Sequence, residues 1–155
     1  MKQSTKNYRD INATPEKLYN AFTDPSALEI WQAPGDMTAK IHHFDLRVGG
    51  GYEMSLFYPD KATIHAGKTA DKEDRYTARF IELIPNRKIV EAVQFNTTDP
   101  DFAGEMMIEI TFEPVEMGTR VTFLFTGIPA GIKPADNEAG TISSLEKLAK
   151  YVETN

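Results

Sequence analysis

The sequence predicts an α+β fold: a curved antiparallel sheet of about six to seven strands around a long C-terminal helix, with two short helices after the first strand. Three observations carry this expectation. Apolar residues follow a period of two from about residue 38 onward, as in half-buried strands. The strands run on without intervening helices, which argues an antiparallel sheet rather than a doubly wound one. The last stretch, PADNEAGTISSLEKLAKYVETN, returns to helical spacing.

Taken in order, residues 3–11 read as the first strand, and TPEKLYNAF follows as a short helix. Thr14 is its N-cap, Pro15 takes the first helical position, and Glu16 favours the positive end of the dipole. DPSALEIW repeats the device, with Asp24 as cap and Pro25 behind it, and Pro34–Gly35 end the helix. In GYEMSLFY, Tyr52, Met54, Leu56 and Tyr58 share one face and Glu53 and Ser55 the other. Residues 75–84 and 87–95 form two more strands around a Pro85–Asn86 turn. In EMMIEITFE, Met106, Ile108, Ile110 and Phe112 oppose Glu105, Glu109 and Glu113. VEMG turns the chain into TRVTFLF, with Val121, Phe123 and Phe125 on one face. Residues 59–74, charged and Gly/Pro-marked, read as a long mobile hairpin loop. In the final helix Ile142, Leu145, Leu148, Ala149 and Val152 mark the buried face, and Glu146, Lys147, Lys150 and Glu153 the solvent side. If the sheet curls round that helix, the short helices plug one end and space remains between sheet and helix.

The 155 residues suit one domain, 1–155, with no linker, repeat or low-complexity segment. No apolar run reaches the roughly 18 residues of a membrane span, and no secretory h-region opens the chain. The cytoplasm is the expected compartment. Seventeen basic against twenty-three acidic residues leave a net charge of −6 and no basic stripe, so nucleic acid and membrane are not expected partners. No cysteine is present, which excludes disulfides, thiol catalysis and thiolate metal sites.

Candidate chemistry is sparse. The three glycines of FDLRVGGGYE fit neither a Walker loop nor a dinucleotide fingerprint and read as a turn between strands. Asp45 and Arg47 read as an ion pair at a strand end. His42 and His43, adjacent on a strand, point to opposite faces, and His65 lies in the charged loop; no metal or other cofactor is expected. No G-x-S-x-G occurs, and Ser143 and Ser144 read as ordinary helix serines. The inward faces look almost wholly apolar, and Glu82 is the one carboxylate whose burial is in question. The aromatic supply stands out: Trp31, Tyr52, Tyr58, Phe95, Phe123 and Phe125 fall on inward faces or near the plugging helices, so an apolar pocket is expected.

These residues also carry a resemblance over nearly the whole chain. ATPEKLYNAFTDPSALEIW, the D-x-R-x-G-G of FDLRVGGGYE, FIELIPNRKIV, GTRVTFLF and GTISSLEKLA, in this order, are similar to the START-like superfamily (SRPBCC, or Bet v 1-like). Within it, the chain resembles the heat-shock-protein-90 ATPase activator homologue family. The resemblance implies a helix-grip fold and a cavity for hydrophobic small molecules. The chain departs from the family at two places: many members carry Gly-Trp where it has Gly140–Thr141, which changes the volume or wall of a cavity, and often a histidine where it offers Phe125 or Thr126, which weakens a polar or catalytic reading of the pocket. The chaperone role belongs to longer members with an additional N-terminal domain and is not carried over.

Three readings follow. The first is a non-catalytic binding protein for a small hydrophobic or aromatic ligand. Its walls would be Trp31, Tyr52, Met54, Leu56, Phe95, Ile108, Ile110, Phe123, Phe125, Leu145 and Leu148. The second is a cyclase- or hydrolase-type enzyme in the same cavity, which requires a titratable side chain there with a displaced pKa. The third is a chaperone-interaction module, which requires an exposed apolar patch and a filled interior; beside a small hydrophobic molecule, the partners in view are a protein partner or a homodimer.

Overall fold

The computed structural model describes residues 3–59 and 73–154. In chain order these form β1 (Gln3–Ile11), α1 (Pro15–Thr23), α2 (Pro25–Trp31), β2 (Thr38–Asp45), β3 (Gly51–Phe57), β4 (Glu73–Ile84), β5 (Lys88–Phe95), β6 (Glu105–Val115), β7 (Gly118–Ile128) and α3 (Pro134–Thr154). The loop reading of 59–74 and His65 within it fall largely on residues 60–72, outside the described residues.

All seven strands join one antiparallel sheet in the order β1-β7-β6-β5-β4-β3-β2. Local chemistry sets the helix ends. Thr14 accepts from Lys17 N at 3.1 Å and Asp24 from Ser26 N at 2.9 Å, each ahead of a proline. The glycine stretch is a turn, as expected. Gly49 N donates to Phe80 O and Phe80 N to Gly50 O, both at 2.9 Å, so the β2–β3 loop docks on β4. A Cβ at Gly51 would lie 1.9 Å from Ala78 O, which no side chain tolerates. Arg47 pairs with Asp45 at 2.7 Å in the open, a structural pair that screening leaves weak.

The helix α3 lies along the sheet, and two residues on it correct the expected faces. Ile142 is 52% exposed, while Thr141 beside it is buried. The buried row runs Thr141, Leu145, Leu148, Ala149, Val152, and a residue one step away from its start is turned by about 100°. Lys147 is not solvent-side either: its ammonium donates to Ala33 O at 2.5 Å and Gly35 O at 2.6 Å. Its stem lies over the helix and its charge satisfies carbonyls of the α2–β2 loop. Ser144 Oγ donates to Gln32 O at 2.7 Å and Ser143 Oγ accepts from Gly35 N at 2.9 Å, so both serines help tie α3 to the same loop.

Candidate functional site

Between the sheet and the N-terminal half of α3 lies a cavity of about 560 Å³, within the range of small-molecule sites. Eight of the residues named from sequence line it: Trp31, Tyr52, Leu56, Phe95, Ile108, Ile110, Phe123 and Phe125. Three do not. Met54 is covered by its cross-strand neighbour Tyr76, whose hydroxyl donates to the sulfur at 3.2 Å. Leu145 and Leu148 belong to the C-terminal half of α3, where the helix packs directly on the sheet.

The aromatic walls are positioned by one another. Trp31 donates its indole N–H to Ala21 O at 3.0 Å and meets the edge of Phe22 at 4.7 Å between centroids. Phe22 in turn touches Phe112 and Phe123, so the short helices close one end of the space with rings. Phe123 and Phe125 stack side by side on β7, and Tyr76 meets Phe95 edge-on.

The polar pole of the cavity comes from β5. Glu91 is 5% exposed and lines the cavity. It stands in register between Phe80 of β4 and Ile108 of β6, both inward. The hydroxyl of Tyr52, which leans across Ala78, donates to it at 3.3 Å. Burial pushes the Glu91 carboxyl up to about 7, and the Tyr52 hydrogen bond only partly opposes this. Burial, with the Glu91 charge nearby, raises the Tyr52 hydroxyl well above its ordinary range and raises Tyr76 too. Both hydroxyls therefore stay protonated, as donors, throughout the neutral range. Tyr76 accepts from the Gln32 amide at 3.1 Å. A second carboxylate, Asp74, is 2% exposed on the cavity wall and accepts from Tyr58 at 2.8 Å.

Glu82, the carboxylate singled out from sequence, is not this group. Its side chain is 45% exposed and pairs with Lys88 at 3.2 Å. Unbroken alternation from Tyr76 through Ala78 and Phe80 would have turned Glu82 inward. A bulge between Phe80 and Glu82 resets the face. Glu91 was legible by the same rule, because Phe95 and Glu91 are four apart on one strand and share a face. Among the described residues, no three histidine, aspartate or glutamate side chains gather to hold a metal ion.

The two departures from the resemblance both sit on the wall. Thr141 lines the cavity and donates to Asn137 O at 2.9 Å, leaving open the volume an indole would take. Phe125 keeps the end of β7 apolar.

A sheet wrapped around one long helix, with two short helices across an end and a cavity inside, is a helix-grip fold. The chain belongs to the family described as activator of Hsp90 ATPase homolog 1-like protein, whose model matches residues 12–153. Among solved structures it is similar to protein CV1439 from Chromobacterium violaceum, at 31% identity over 97% of this chain and 96% of that one, with a TM-score of 0.85. The AHSA1-like protein from Aeromonas hydrophila shares the fold at 19% identity, over 98% of this chain and 93% of that one, with a TM-score of 0.72. Protein MLL2253 from Mesorhizobium loti does so at 21% identity over 99% and 98%, with a TM-score of 0.74. No curated protein matches the chain. Among the described residues, no helix is long and apolar enough to cross a membrane.

Proposed function

We propose that this protein binds a small molecule with an apolar or aromatic body in the cavity between the sheet and α3, in the cytoplasm. The observation that supports this reading is the cavity itself: about 560 Å³ bounded by Trp31, Tyr52, Tyr76, Phe95, Phe123 and Phe125. Ring faces supply apolar burial at roughly 25 cal/mol per Å², before ordering costs. The interaction-module reading calls for a filled interior, so the cavity supports the binding reading over it.

A two-dimensional amide NMR titration with a panel of small aromatic and aliphatic compounds tests the reading. Saturable shifts clustered at Trp31, Tyr52 and Phe125 are expected. A well-dispersed spectrum that no member of the panel moves would count against it.

A second reading, an acid–base enzyme using the same cavity, has a specific observation behind it. Glu91 is the titratable group that reading required, and at about 7 it is poised to give or take a proton near neutrality. Its test is turnover of a cavity-bound compound with a pH–rate limb near 7 that is lost in E91Q.

A further inference from the structure

Among the described residues that line the cavity, the buried carboxylates are Asp74 and Glu91, while Asp136 and Lys133 are both exposed at the rim. Among the described residues, Glu91 is faced by Tyr52 from β3, Phe80 and Tyr76 from β4 and Ile108 from β6, with Gln32 reached through the Tyr76 hydroxyl, none of them cationic. Among the described residues its one hydrogen-bond partner is the Tyr52 hydroxyl, at 3.3 Å, which is long for an O–H···O bond, and Glu91 lines the cavity with its second oxygen unmet by any of them. A buried carboxylate of this kind is costly when ionised unless a donor or a cation meets it. The walls beside it are aromatic faces, which attract cations.

On the strength of the binding reading above, we propose that the ligand is an organic amine, taken up protonated, its ammonium on Glu91 and its apolar body against the aromatic walls. Such a group supplies both the missing hydrogen bonds and the missing charge. A carboxylate or phosphate ligand would instead meet the Glu91 carboxylate, beside which no cation stands among the described residues.

The test compares three probes of one shape, naphthylmethylamine, naphthylmethanol and naphthoic acid, by calorimetry and amide NMR. The amine is expected to bind about tenfold or more tighter than the alcohol, and the acid weakest, as charge-assisted pairing requires. Because Glu91 ionises near 7, amine affinity is expected to rise about tenfold from about pH 6 to about pH 8, with proton release on binding. E91Q is expected to lose that rise and bind the amine about tenfold more weakly. If the alcohol or the acid binds as tightly as the amine, or if amine binding ignores pH, the inference fails and the binding reading stands. If none of the three moves a well-dispersed spectrum, the binding reading fails and takes the inference with it.

Discussion

The two halves of α3 face the same sheet and do opposite things. From Leu145 onward its inward residues are Leu145, Leu148, Ala149 and Val152, all fully buried, and sheet and helix close on each other. Before Leu145 the inward positions are Asn137, Gly140, Thr141 and Ser144, and there the cavity opens. The backbone does not change between them. A helix holds a sheet only as firmly as its inward side chains are long and apolar, and space is made by writing small polar residues into one half.

The largest effect is expected where the packed half is broken. L148A removes a fully buried side chain and should cost about 2–5 kcal/mol in urea unfolding. The open half should respond chiefly through charge. Glu91 titrates at about 7 when folded, above its ordinary 4.5. The folded state therefore holds a proton that the unfolded state releases between those values. Its stabilising share is complete below the lower value and is lost as pH rises through about 7. E91Q should accordingly be more stable than the parent by about 3 kcal/mol at about pH 8, with the gap closing toward about pH 4. An E91Q–parent stability gap that is the same at the two pH values in chemical denaturation would sink this.

K147M severs the tie between α3 and the α2–β2 loop. Leaving the carbonyls of Ala33 and Gly35 without their ammonium should cost about 1–2 kcal/mol. The smallest stability change is expected from T141W, which places a ring into open space. It should shift the unfolding midpoint little yet abolish the NMR response to naphthylmethylamine. Destabilisation as large as that of L148A would mean that the half around Thr141 is packed after all.

Much of the fold was legible in sequence because capping and alternation are local. Thr14–Pro15 and Asp24–Pro25 announce their helices, and the glutamates of β6 mark its outer face. The aromatic walls were legible for the same reason. The errors came where a local rule met a non-local event. The bulge after Phe80 cannot be seen in RFIELI, where hydrophobic neighbours on both sides leave the face of Glu82 undecided. Lys147 reads as a surface lysine until the α2–β2 loop is known to pass over it. Met54, Leu145 and Leu148 have the right face but the wrong depth, and depth depends on which neighbour covers a side chain.

The ties of Ser143, Ser144 and Lys147 have a mechanical corollary. They fasten α3 to the loop after α2, so that side of the cavity moves as one piece with the helix. Across the rim, Gly131 N donates to Asp101 O at 2.6 Å, and a Cβ on Gly131 would lie 2.7 Å from that oxygen and 2.9 Å from the Phe102 ring. Two loops thus meet there like the jaws of a latch, held by one peptide hydrogen bond that a single methyl group would wedge apart.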